Sequence, residues 1–132
     1  MQKDTVVILV FTIGKKVLVE KRQLEQFSNP QYLIPGGTVK QLEKIEQALI
    51  REAIEELGIK ILDFTPLPSK NKIRGLKGQY LEPFLVSKWE GQISETILDK
   101  GTPLFWVEFN EALTSKVRPT REIIIALKNY LS

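Results

Sequence analysis

Glu52, Glu55 and Glu56 would stand within little more than one turn of each other on a helix. Side chains that close repel when they carry like charge. The chain as a whole is basic, with a formal net charge of +3, so its acids are crowded here for a reason. Either solvent screens them or something cationic binds them. Hard divalent cations prefer oxygen ligands, and Mg²⁺ commonly combines a few carboxylates with waters and substrate phosphates. Taken alone, the glutamates are better accounted for by a solvated acidic face, the usual role of a charge run. Composition narrows the chemistry. With no cysteine there is no disulfide framework, thiolate site or cysteine nucleophile. With no histidine, the common general base and the usual zinc ligand are absent too. Chemistry must rest on carboxylates, Lys, Arg, Tyr, hydroxyls and backbone groups.

The segment from Glu43 to Leu57 reads as the helix that positions these acids, closed by Gly58. At 100° per residue, Ile50, Ala53, Ile54 and Leu57 share one face, expected to be buried, and the three glutamates share roughly the opposite one. Arg51 and Glu43, about two turns apart, could bridge and brace the helix. Gly36 and Gly37 precede it in a Pro-Gly-Gly turn, where bare backbone could offer a carbonyl to a ligand. Upstream, Thr5–Ile13 and Lys16–Lys21 read as two strands of a hairpin around Gly14-Lys15-Lys16. Downstream, strands are expected at Ile59–Leu67, at Gln79–Gly91 with an interruption at Pro83, and at Thr102–Phe109. Pro68–Gly78 is a basic, turn-rich connection, and Thr120–Leu131 reads as a helix capped by Thr120. Strands mixed with two helices give an α/β (α+β) fold, expected to form one domain over residues 1–132. The apolar run Val6–Ile13 is too short to span a membrane and lacks a leader pattern, so a cytoplasmic protein is expected.

Gly37, Glu43, Arg51, Glu52, Ala53, Glu55, Glu56, Gly58 and Ile59 fill every fixed position of Gly-x5-Glu-x7-Arg-Glu-U-x-Glu-Glu-x-Gly-U, where U is apolar. This is the Nudix box, and the chain resembles MutT-like Nudix hydrolases over most of its length. The resemblance implies an α/β/α sandwich with a mixed β-sheet. It also implies Mg²⁺- or Mn²⁺-dependent cleavage of a nucleoside diphosphate linked to a moiety X, giving a nucleoside monophosphate and phosphate-X. Carried over position by position, Gly36 (through its carbonyl), Glu52, Glu55 and Glu56 would hold metal. Glu52 is also a candidate base. Arg51 completes the catalytic set by orienting the glutamates, and Gly37, Glu43 and Gly58 are structural. Leu42 and Lys40 depart from the residues frequent at their positions, glycine and an acid, so the loop should differ in detail. Glu95 and Asp99 are the candidates for an extra base or ligand on a later loop.

Arg22 is placed to meet a phosphate and Phe27 to stack on a base. The resemblance implies an asparagine ahead of the last helix for reading oxidised guanine; here "RPTREI" (Arg118–Ile123) contains none. The expected substrate is therefore a small nucleotide such as a (deoxy)nucleoside triphosphate. The alternatives are an RNA 5′-end pyrophosphohydrolase or a non-catalytic nucleotide- or RNA-binding module using Lys70, Lys72, Arg74 and Lys77. An interaction domain presenting Trp89 and Trp106 is a third reading. Either a monomer or a homodimer fits, with no membrane partner.

Overall fold

The structure, a computed structural model, describes residues 4–93 and 103–132. Strand β1 (Thr5–Ile13) is at its centre. It pairs parallel with β7 (Tyr80–Glu90) and antiparallel with β4 (Gly36–Thr38). Strand β7 also pairs antiparallel with β5 (Lys60–Pro66) and the short β6 (Ile73–Arg74). Strand β2 (Lys16–Arg22) leaves β1 through a two-residue turn with Gly14 at φ +60°. It then pairs antiparallel with β3 (Gln31–Leu33) and β8 (Leu104–Glu108). Parallel pairing of β1 and β7 requires a long crossover, and that crossover carries α1 (Ile45–Glu52).

The uninterrupted apolar run of β1 follows from burial on both faces. Val7, Leu9 and Phe11 pack with Leu49 and Leu57 on one side. Ile8 and Val10 pack on the other with Ile123, Ile124 and Leu127 of α3 (Arg118–Leu131). A mixed sheet between helical layers is the expected α/β/α arrangement. A short helix, α2 (Phe109–Ala112), precedes α3. Among the described residues no helix is long and apolar enough to cross a membrane.

Four expectations need correction. First, Gly36 and Gly37 are strand, not turn, with Ile8 opposite Gly36 and Val7 opposite Gly37. Second, β7 runs unbroken through Pro83. Its carbonyl accepts the Leu67 N–H at 2.9 Å, and the missing proline donor falls where pairing with β5 ends. Third, Thr120 does not cap α3. The helix starts earlier, with Pro119 in its first turn, and the Thr120 hydroxyl donates to the Tyr32 carbonyl. Fourth, the buried face of the glutamate helix is only partly the one expected: Ala53 and Leu57 are buried as expected, but Ile50 and Ile54 are not. Ala48, Leu49 and Glu52 are buried with them. The buried residues keep the i, i+4, i+8 spacing of an ordinary helix (Leu49, Ala53, Leu57), so the face is turned toward Leu49 and Glu52; a π-helical turn follows at Ala53–Leu57. Burying Leu49 and Leu57, at roughly 1.5–3 kcal/mol each, sets the phase and carries Glu52 inward with them.

Candidate functional site

Arg51 organises the glutamates. Its Nε and Nη2 donate to the two carboxylate oxygens of Glu43, at 2.8 and 3.0 Å. Nη1 donates to Glu52 at 2.8 Å and to Glu55 at 3.0 Å. Nη2 also reaches the carbonyl of Thr38 on β4 at 3.0 Å. A guanidinium has five N–H donors in a planar fork, and all have an acceptor here. One side chain thus joins both ends of the motif and the neighbouring strand, and it neutralises part of the acidic cluster. The Lys40 N–H adds a further bond to Glu43. Arg51 first, then that N–H, hold the Glu43 carboxyl down at about 2. Leu42, in the same loop and fully exposed, takes a left-handed φ of +67°. That conformation favours glycine, the residue that the resemblance implies at this position.

Glu52 is only 6% exposed. Burial pushes its carboxyl above the ordinary range, against the pull of Arg51; Glu56 and Glu55 add to the upward push. Arg51 occupies its Oε1, and its buried Oε2 has no hydrogen-bond partner among the described residues. Such an atom is costly unless something fills the place. A divalent cation fits an unfilled carboxylate oxygen beside Glu55 and Glu56. Among the described residues, however, no three acids close tightly enough to hold a metal unaided. That suits Mg²⁺, which keeps waters and substrate phosphates among its ligands.

The glycines follow from this geometry. A Cβ on Gly37 would lie 2.0 Å from the Glu52 carboxyl carbon, and one on Gly36 would lie 2.3 Å from the Val7 carbonyl oxygen. Close approach, not a tight turn, demands both. Gly58 does need its φ of +66°, ending the π-helical turn with its N–H donating to the carbonyls of Ala53 and Ile54.

Gly36 also lines a cleft of about 340 Å³ bounded by β2, the β6–β7 turn and the start of α3. Arg22, Lys77 and Glu20 are in its wall. Two larger hollows, about 510 and 500 Å³, lie along α3, the first lined in part by Lys70, and a shallow one of about 400 Å³ is lined by Arg51 and Glu55 on the glutamate helix. Arg22 is therefore brought to the cleft, 3.8 Å from Glu20. Phe27 is half-buried in the β2–β3 loop and does not line the cleft. Glu95 and Asp99 lie outside the described residues. Lys72 and Arg74 both sit over the Tyr80 ring, at 5.4 and 4.0 Å. Trp89 meets Phe11 edge-on at 5.3 Å, and Trp89 and Trp106 both pack against the core, so neither is a free docking residue. The sequence reading missed Glu20 and the Thr38 carbonyl. Glu20 had a signal, as an acid ending the apolar run of "VLVE"; a backbone carbonyl has none.

Comparison with known proteins agrees with this architecture. A family model described as "NUDIX domain" matches residues 1–127. A protein named 8-oxo-dGTP diphosphatase from Buchnera aphidicola subsp. Schizaphis graminum is 31% identical over 97 residues, 70% of this chain and 70% of that protein. One of the same name from Proteus vulgaris is 32% identical over 79 residues, 60% of this chain and 70% of its own. The solution structure of the E. coli ORF135 protein superposes with a TM-score of 0.77 at 25% identity, covering 100% of this chain and 93% of that one.

Proposed function

Since the chain belongs to the Nudix family and is a pyrophosphohydrolase of that type, we propose that it hydrolyses a small nucleotide, a (deoxy)nucleoside triphosphate, in a Mg²⁺- or Mn²⁺-dependent reaction. The observation that carries this reading is the buried Glu52 carboxylate, one oxygen bound by Arg51 and the other unfilled, beside Glu55 and Glu56. Glu52, Glu55, Glu56 and the Gly36 carbonyl would hold the cation. When bound, it supplies charge neutralisation on the diphosphate and a more acidic water.

The chain's own groups do the rest. Glu52 takes the proton of the attacking water. The water oxygen bonds to phosphorus as the bridging P–O bond breaks, and phosphate-X leaves with the bridging oxygen. Arg51 keeps Glu52 and Glu55 in place without spending its charge on substrate. Lys72 and Arg74 are already engaged on Tyr80, which favours a small nucleotide over a nucleic-acid track. The names of the two curated relatives point the same way, toward a purine deoxynucleoside triphosphate.

The test is product analysis over a panel of nucleoside triphosphates with Mg²⁺, Mn²⁺ or chelator. Release of nucleoside monophosphate and pyrophosphate, abolished by chelator, is expected. No release from any nucleotide, or undiminished release in chelator, would overturn the reading. Gly37→Ala probes the same site without touching a carboxylate. The new methyl must displace Glu52, and a displacement near 1 Å costs about 100-fold in rate. Activity within a few-fold of the wild type in Gly37→Ala would show that the position of Glu52 does not matter.

A further inference from the structure

Gln31, Ser115 and Thr120 are buried polar residues that the proposed chemistry does not use. All three meet where β3 touches the connection from α2 to α3. The Gln31 Oε1 accepts the Lys116 N–H at 2.7 Å. The Tyr32 carbonyl accepts two hydroxyls, that of Ser115 at 2.8 Å and that of Thr120 at 2.9 Å. The Ser115 hydroxyl in turn accepts the Val117 N–H at 3.2 Å, and the Ser115 carbonyl accepts the Arg121 guanidinium at 2.8 Å. The Tyr32 hydroxyl donates to the Glu111 carboxylate. We propose that Gln31 and Ser115 are positioning residues: they set the start of α3, part of the wall of the cleft beside Gly36, and through that wall the affinity for nucleotide. This role deepens the nucleotide-hydrolase reading and rests on it in taking the ligand to be a nucleotide.

Stability alone does not call for this joint. Ile123, Ile124 and Leu127 already pack α3 into the core, and replacing a buried polar pair by apolar groups of the same shape is commonly neutral. What apolar contact lacks is direction. A hydrogen bond weakens steeply once its angle falls below about 120°. Two hydroxyls five residues apart, held by one carbonyl, fix both the height and the rotation of the helix start. The helix forgoes a cap for this. Val117 at its N-cap makes no side-chain bond to the first turn, while the Ser115 and Thr120 hydroxyls, the groups that usually cap, are both turned to Tyr32.

The stretch that forms the joint also reaches the site. Leu33, Ile34 and Gly36 line the cleft together with Val117, Pro119 and Thr120 at the start of α3. Gln31 and Ser115 do not line it, so they act on a ligand only through that wall. Gly36, whose carbonyl is a proposed metal ligand, follows Gln31 by five residues. The joint therefore ties the α3 wall to the strand that leads into the metal end of the site. Loosening it weakens binding of substrate and transition state alike, which raises KM and spares kcat. By linkage, a nucleotide that binds better to the set wall must hold the joint in place by the same factor.

Steady-state kinetics with dATP, dCTP, dGTP and dTTP in Mg²⁺, and calorimetric binding of the four monophosphates, test this in the wild type, Ser115→Ala and Gln31→Met. On the triphosphate hydrolysed best, each variant should raise KM about fivefold or more, the worth of roughly one hydrogen bond, with kcat within about twofold. Affinity for the corresponding monophosphate should fall by a like factor. A purely structural role would lower Tm and leave the KM of the folded enzyme unchanged. That result overturns the proposal, as does a fall in kcat at constant KM. In the wild type, saturating monophosphate should slow amide exchange at Lys116 and Val117 about fivefold or more. Unchanged exchange there overturns the proposal even if both variants fail to fold. Hydrolysis with an unshifted KM in the variants sinks the positioning role alone. Monophosphate binding that weakens in both variants, without hydrolysis of any triphosphate, sinks the hydrolase reading alone. Neither hydrolysis nor binding by the wild type sinks both.

Discussion

Glu52→Gln is expected to lower turnover about a thousandfold while leaving the apo protein as stable as the wild type or more so. The rate loss combines a lost proton acceptor with a lost anionic ligand; removing an acid–base group alone typically costs 10²–10⁴-fold. The stability expectation comes from the sign of the pKa shift. Burial raises the Glu52 carboxyl above its unfolded value. A group shifted that way binds its proton more tightly in the folded state, so stability falls as pH rises from the unfolded pKa through the folded one. At neutral pH the ionised carboxylate is thus a burden on the apo fold, and Gln removes it. Gln is nearly the same shape, clears Gly37 as Glu does, and keeps a carbonyl oxygen for Arg51. Thermal melts in chelator at pH 7 and at pH 4, beside initial rates with Mg²⁺, measure both halves. Turnover within tenfold of the wild type would remove Glu52 from the chemistry. A melting temperature that falls sharply in chelator would mean that its charge supports the fold through Arg51 instead of burdening it.

Arg51→Ala should be harmful to fold and rate together. The substitution deletes every donor that joins Glu43, Glu52, Glu55 and the Thr38 carbonyl. It leaves the carboxylates repelling one another around a mostly buried space. A fall in Tm of about 5–10 °C is expected, in keeping with the sensitivity of a domain this size to losing a bridged charge network. The rate should fall at least about 100-fold, because Glu52 loses its orientation. Acid titration adds a signature. Glu43 is depressed to about 2 by Arg51 first, so its contribution to stability is present above the ordinary carboxylate pKa and is lost as pH falls through about 2. Arg51→Ala should flatten the stability profile between roughly pH 4.5 and 2 relative to the wild type. An unchanged Tm with an unchanged acid profile would show that the network seen around Arg51 carries no weight in solution.

Much of this protein was legible in its residues because the information is local. The β1–β2 hairpin follows from two apolar runs around Gly14, and the end of the glutamate helix follows from Gly58. The motif spacing indicated which acids stand together around Arg51, and the Arg51–Glu43 brace could be read from a separation of two turns. Where sequence reasoning failed, a partner distant along the chain decided the outcome. Pro83 breaks no strand because β5 ends beside its missing donor. Thr120 is drawn to the Tyr32 carbonyl across the β3–α3 contact instead of capping its helix.

The sequence by itself determined the chemistry, in the form of carboxylates at fixed intervals, an arginine among them and no histidine or cysteine to compete. Tertiary structure alone decided what each group experiences. The burial of Leu49 and Leu57 turns Glu52 toward the sheet and leaves Ile50 and Ile54 in solvent, while Ala53 and Leu57 stay buried. Pairing of β4 with β1 brings the Gly37 backbone against the Glu52 carboxylate, which makes Gly37 a steric necessity and not a turn residue. The cleft is assembled from β2, β4, the β6–β7 turn and α3, and places Glu20 beside Arg22 at its wall. Residue type and spacing are properties of the chain; desolvation, close approach and the company a charge keeps arise only when segments far apart in sequence pack together.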